Sequence, residues 1–229
     1  MDYRSKEAFK TLRTNIQFCG TEIKVITITS CTPNEGKSSV SFNLAVSFAE
    51  AGKKVIFIDA DLRKSVLIGR YKVGEVEYGM SHYLSGQREL SAVIYTTSCT
   101  NMDVIFSGDY SPNPSELLGH DRFIDMIRVL REVYDYVIID TPPLGAVIDS
   151  AVVARMSDGA ILVVEANTIN HHFAKDVKEQ LERSGCKIIG AVMNKVPVKM
   201  GGYYQKYYHK YYKHYGEYGG ANKAYIGII

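Results

Sequence analysis

Residues 30 to 39 read SCTPNEGKSS and close on Gly36-Lys37-Ser38. A glycine lets backbone approach an anion closely, a lysine offers a point charge to terminal phosphates, and a hydroxyl can ligate Mg²⁺. The first glycine of the common G-x-x-x-x-G-K-[ST] loop is replaced by Cys31, a residue still small enough to turn. The run before the loop, KVITIT, is β-branched; the run after it, VSFNLAVSFAEAGKK, has helical spacing. Strand, loop and helix N-terminus aim backbone N–H groups at one point, which is the physical basis of phosphate binding. Three carboxylates accompany the loop. Asp140 ends the apolar run of VIIDTPP, and Asp59 and Asp61 end that of VIFIDADLR. Two residues apart on an extended chain, Asp59 and Asp61 point to the same side. Such acids can hold a metal and orient an acceptor, so the chemistry indicated is transfer of a phosphoryl group.

These residues need a sheet edge to hold them. Apolar, β-branched runs predict strands at 24–29, 54–60, 102–108, 136–142, 160–166 and 187–194. Most are nearly continuous in apolar residues, as strands covered on both faces are. Helical patterns fall at 5–18, 38–51, 115–133, 149–156 and 170–184, with Gly52 and Gly185 placed to end helices. Alternation of strand and helix implies an α/β fold with a doubly wound, mainly parallel sheet. Ligands bind such sheets at the carboxyl ends of the strands, where all three acids lie. The body is one domain, 1–198, and a tyrosine-rich tail of expected flexibility runs from 199 to 229. Segment 64–101 carries no motif with legible chemistry.

Composition narrows the partners. The chain has 229 residues, 46% hydrophobic and 23% charged, which permits a large core. A net charge of +2 is too near neutral to argue for nucleic acid. Cys19, Cys31, Cys99 and Cys186 are scattered without metal spacing, which favours reduced thiols in a cytosol. No apolar run reaches the ~18–20 residues of a membrane span, and the charged start MDYRSKEAFK is no signal peptide. The expectation is a cytoplasmic protein that reaches the inner face of the membrane through a partner.

The order CTPNEGKS (31–38), DADLR (59–63) and IDTPP (139–143) resembles the bacterial tyrosine kinases of capsule and exopolysaccharide synthesis. That resemblance implies a P-loop NTPase fold with deviant Walker A, A′ and B motifs. It implies ATP and Mg²⁺ as cofactors, with Pro33, Asn34, Glu35, Gly36, Lys37, Ser38 and Ser39 around the phosphates. Ser38, Asp59 and Asp140 would hold the metal, while Lys37, Asp59 and Asp61 would be catalytic, Asp61 taking the proton of the attacking tyrosine. A tyrosine hydroxyl has a pKa of about 10 and needs such help at neutral pH. Arg63 matches the motif's arginine and suits either phosphate or subunit contact. Asn194, in GAVMNKVP, stands where relatives contact adenine; Pro197 occupies the place of the aspartate in the N-K-x-D of GTPases, so ATP is the expected nucleotide. The alternative is a switch ATPase of the partition and septum-positioning class, whose signature lysine is here Thr32.

Two segments bear on assembly. Glu7, Lys10 and Arg13 are spaced three apart and resemble the family's E-x-x-R-x-x-R helix, which joins subunits into a ring, with Lys10 replacing the middle arginine. The tail holds Tyr203, Tyr204, Tyr207, Tyr208, Tyr211, Tyr212, Tyr215, Tyr218 and Tyr225, nine of the chain's 17 tyrosines. Its pairs at four-residue intervals suit an amphipathic helix, and interleaved Lys206, Lys210 and Lys213 suit a nucleic-acid arm. With a kinase site in the same chain, a phosphoacceptor tail modified between subunits is the preferred reading, with no nucleic acid. The resemblance further implies a homo-oligomer, a membrane-anchored activator of the polysaccharide co-polymerase type, and a cognate phosphotyrosine phosphatase.

Overall fold

A computed structural model describes residues 3–65, 67–71, 76–197 and 225–228. The strands are β1 (Val25–Ser30), β2 (Val55–Asp59), β3 (Ile94–Thr96), β4 (Met102–Ile105), β5 (Tyr136–Asp140), β6 (Gly159–Glu165), β7 (Ile188–Val196) and β8 (Tyr225–Ile228). The helices are α1 (Tyr3–Phe18), α2 (Lys37–Glu50), α3 (Leu67–Tyr71), α4 (Met80–Leu84), α5 (Pro114–Gly119), α6 (Asp121–Val133), α7 (Asp149–Ala154) and α8 (His171–Glu182).

They form one eight-stranded sheet in the order β3-β4-β2-β5-β1-β6-β7-β8. Its inner pairings are parallel and only the edge strands β3 and β8 run antiparallel. Every residue of β1 and β2 is buried, because helices cover both faces. Alternation survives inside these apolar runs. Ile26, Ile28, Phe57 and Ile138 turn to the α1–α2 face with Leu12, Leu44 and Phe48. Ile56, Ile58, Val137 and Ile139 turn to the opposite face, against Phe123, Met126 and Leu130 of α6. Covering α6's apolar stripe removes four large side chains from water, each worth roughly 1.5–3 kcal/mol.

The structure departs from the sequence expectation in three places. The helix expected over 115–133 is two helices, broken at His120, whose backbone is extended (φ −78°, ψ 153°) and whose Nδ1 accepts the Arg122 N–H at 3.4 Å. A residue held in that conformation cannot continue α5 and serves to cap α6. The segment 64–101, unread in the sequence, supplies α3, α4, a 3₁₀ turn over Leu90–Val93 and β3. The segment expected to be a flexible tail ends in β8, which pairs with β7 at Val192, Met193 and Val196. YIGI is apolar and β-branched enough to add a strand to an open edge. The tail's other tyrosines lie outside the described residues. No helix among the described residues is long and apolar enough to cross a membrane.

Candidate active site

Strands β1, β2 and β5 are adjacent and parallel, so their carboxyl ends share one edge, and Asp59 stands beside Asp140 in register. The loop after β1 turns through Asn34 (φ 69°) and Gly36 (φ 86°) before α2 begins at Lys37. The first-turn N–H groups of α2 therefore point out of the edge at which the acids end.

Lys37 Nζ donates to Asp140 Oδ1 at 2.9 Å and to Ser38 Oγ at 3.2 Å. Ser41 Oγ, one turn on, donates to the same Asp140 oxygen at 2.9 Å. Asp59, 1% exposed, receives a short hydrogen bond from Ser65 and one from the Asp61 N–H at 3.3 Å. Burial pushes its carboxyl up to about 7; the negative charge of Asp140 adds, and Ser65, Lys37 and the Asp61 amide only partly offset them. The folded value lies above the unfolded one near 3.8, so ionising Asp59 costs the fold stability as pH rises from about 4 to about 7. Two buried carboxylates share one ammonium. That charge excess, with a serine hydroxyl alongside, fits a divalent cation, which would favour the ionised acids. Among the described residues no three His, Cys, Asp or Glu side chains gather as a metal cage, and Mg²⁺, which keeps waters and phosphate oxygens as ligands, does not need one.

Asp61 lies past the end of β2. Residues 62–64 form a turn, which Asp61 Oδ1 caps by accepting the N–H groups of Arg63 (3.2 Å) and Lys64 (2.9 Å). Its other oxygen has no hydrogen-bond partner among the described residues. Arg63 bonds within its own chain. Its Nε and Nη2 donate to the two oxygens of Asp149 at 2.7 and 3.0 Å, and Ser115 Oγ donates to the same carboxylate at 2.5 Å. Asp149 is fully buried, so these hydrogen bonds join the turn after β2 to α5 and α7. This gives the stretch PNPSELL (112–118), which contains Ser115, a structural task.

The phosphate loop is braced from behind. Glu35, expected at the nucleotide, turns its carboxylate inward: it accepts from Thr32 N and Oγ1 (the latter 3.0 Å) and from Glu165 N at 2.8 Å. Asn194, expected at adenine, donates from Nδ2 to the Glu35 carbonyl at 2.8 Å, leaving Oδ1 for a further contact. Lys195 Nζ joins the Asn34 carbonyl (2.6 Å) to Glu165 (2.8 Å). Pro33 and Asn34 are exposed at the loop tip and Ser39 follows in α2. Cys31 is buried with Leu144 and Leu162, and burial pushes its thiol up to about 12, so it is a small packing residue and not a nucleophile. Gly36→Ala should therefore lose nucleotide binding. A Cβ there collides with Asn194 Nδ2, and the positive φ disfavours any side chain. Titration with a fluorescent ATP analogue reads it; retained affinity would mean that the Asn194 contact is dispensable.

On α1, Glu7 pairs with Lys10 at 2.7 Å on the exposed face. Arg13 bonds inside its own chain, to the Ser47 carbonyl at 2.5 Å and its hydroxyl at 3.2 Å. The three residues expected at a subunit contact are thus divided, two facing out and one docked on α2.

A phosphate loop at the head of a parallel sheet, with acids ending the neighbouring strands, defines a P-loop nucleotide-dependent phosphotransfer domain. A family model described as an AAA domain matches residues 23–184. The chain is 43% identical over 200 residues to tyrosine-protein kinase CpsD of Streptococcus agalactiae serotype Ia, covering 87% of this chain and 86% of that one. The kinase domain of the Escherichia coli tyrosine kinase ETK superposes with a TM-score of 0.81 at 39% identity, over 87% and 78% of the two chains. The septum site-determining protein MinD of Pyrococcus horikoshii, solved with Mg-ADP, gives 0.62 at 26% identity over 73% and 68%. The chain belongs to the bacterial tyrosine kinase family, and it is a protein-tyrosine kinase.

Proposed function

We propose that the chain transfers the γ-phosphoryl group of ATP, with Mg²⁺, to tyrosines of its own C-terminal cluster, and so regulates capsular or exopolysaccharide synthesis and export. The observation that carries this is the gathering of Lys37, Asp59 and Asp140 at the mouth of the phosphate loop, with Asp61 just outside. The Mg-ADP bound by MinD supports a magnesium nucleotide in the shared fold. Gly36 and the first turn of α2 receive the phosphates, and Ser38, Asp59 and Asp140 are the residues that would hold the metal. The metal supplies charge stabilisation to the phosphates. Lys37 exchanges its bond to Asp140 for the β- and γ-phosphates. The tyrosine Oη attacks the γ-phosphorus as Asp61 accepts its proton; the O–P bond forms, the bond to the β-phosphate oxygen breaks, and ADP leaves.

The acceptors are Tyr203, Tyr204, Tyr207, Tyr208, Tyr211, Tyr212, Tyr215, Tyr218 and Tyr225, the last of them in β8. Each phosphate adds about −1.5 to −2 charges, enough to reverse the tail's basic character. Transfer between subunits calls for an oligomer, which the exposed Glu7–Lys10 pair is placed to contact. A membrane-anchored activator recruits the chain to the inner face of the membrane, and a phosphotyrosine phosphatase resets the tail.

Labelled ATP is the direct test: label kept on tail tyrosines is expected, whereas free phosphate alone would indicate a switch ATPase. Asp61→Asn should slow transfer by about 10²–10⁴-fold with ATP affinity unchanged. Stopped-flow transfer and nucleotide titration on the same preparation check this, and an unchanged transfer rate would remove Asp61 as the base.

A further inference from the structure

Tyrosines in the body of the fold are mostly engaged. Tyr83 and Tyr134 are buried, their hydroxyls donating to the Arg122 carbonyl (3.3 Å) and to Asp103 (2.7 Å). Tyr95 donates to the Tyr78 carbonyl at 2.8 Å. Tyr110 differs: it is 72% exposed, and its hydroxyl has no hydrogen-bond partner among the described residues.

Its position is also distinctive. β4 lies parallel beside β2, with Ile105 opposite Ile58, so the loop after β4 leaves the same sheet edge at which Asp59 stands. That loop is pinned on both sides of Tyr110. Asp109 faces His82 Nε2 at 3.3 Å, and the Ser111 N–H reaches the carbonyl of Leu62, the neighbour of Asp61, at 3.4 Å. Gly108 turns the backbone there (φ 79°) and sits against Gly79. The Asp149 hydrogen bond chiefly raises the pKa of the Arg63 guanidinium, and the charges of Asp149, Tyr110 and Asp61 add to it.

We infer that Tyr110 is a phosphoacceptor for its own chain's active site, distinct from the C-terminal cluster. The inference rests on the kinase reading of that site. Its chemistry is that of the tail: Tyr110 Oη bonds to the γ-phosphorus, Asp61 takes the proton, and ADP departs. A short, pinned loop presents the hydroxyl from within the chain, so no second subunit is required. The Ser111 bond to Leu62 holds this loop beside the turn that carries Arg63 and Lys64, two cations able to attract the product phosphate.

The test exposes the full chain to Mg-ATP and follows phosphate on the Tyr110 peptide and on the tail by mass spectrometry. Expected is modification of Tyr110 at a rate unaffected by dilution, absent from Lys37→Met. Tyr110→Phe should lose that phosphopeptide and keep tail modification. Tail tyrosines that fill while Tyr110 stays bare would overturn this inference and leave the kinase reading intact. Phosphate appearing nowhere would overturn both. A Tyr110 rate that rises with protein concentration, or phosphate persisting on Lys37→Met, would also overturn the assignment to the chain's own site.

Discussion

Lys37→Met is expected to abolish phosphate transfer to tyrosine, lowering the rate by at least about 10²–10³-fold, as loss of a preorganised charge at a transferring phosphoryl group does. Methionine keeps the length and apolar stem of the side chain and removes only the ammonium. In the wild-type chain the Lys37 side chain is 7% exposed and its ammonium is bound to Asp140 at 2.9 Å, so it is largely desolvated before any nucleotide arrives. Removing it also leaves Asp59 and Asp140 buried without a counter-ion, a change that typically costs about 3–5 kcal/mol. Loss of activity could then be loss of fold. The two separate by experiment: excess Mg²⁺ should recover stability, by occupying the acids, without recovering transfer. Label incorporation measured beside thermal unfolding, with and without Mg²⁺, distinguishes them. Transfer that survives in the folded variant would remove Lys37 from the chemistry.

The sequence discloses the groups that do this chemistry because they sit at fixed offsets from strand ends. Lys37, Asp59 and Asp140 each follow a buried apolar run, and a parallel sheet brings such ends to one edge whatever the intervening chain does. What escapes is what depends on distant pairing. Arg63 and Asp149 are 86 positions apart, and no local pattern links an arginine in a turn to an aspartate at the start of a short helix. Glu35 escapes differently. Its place in the loop suggests a ligand contact, but its partners are Thr32 and Glu165, and the second is known only once β6 lies next to β1. Asp61 marks where period-two reasoning ends, because it holds only while the chain stays extended and a turn follows at 62–64. β3 and β8 were invisible because they are short edge strands, formed by pairing with β4 and β7.

Arg63→Met should destabilise the chain by about 1–3 kcal/mol, because Asp149 is buried while Arg63 is 37% exposed and Ser115 still bonds Asp149, and invert how its stability depends on pH. Burial pushes the Asp149 carboxyl up, but hydrogen bonds from Arg63 and Ser115, with the charge of Arg63, more than offset it, so the group sits below its ordinary value. A lowered folded value contributes stability that is present above the unfolded value near 3.8 and is lost as pH falls through the folded one. Without the guanidinium, burial dominates and the folded value rises above 3.8. The variant then loses stability as pH climbs from about 4 toward neutrality, where the wild-type contribution is constant. Denaturant unfolding across that range reads both slopes, and Arg63→Met with Asp149→Asn should remove the variant's pH dependence while recovering part of its stability. Because the same hydrogen bonds hold the turn that Asp61 caps, transfer should fall more than ATP affinity does. A loss below about 1 kcal/mol, the size of a solvent-exposed ion pair, with unchanged pH dependence, would show that α5 and α7 hold that turn without the Arg63–Asp149 pair.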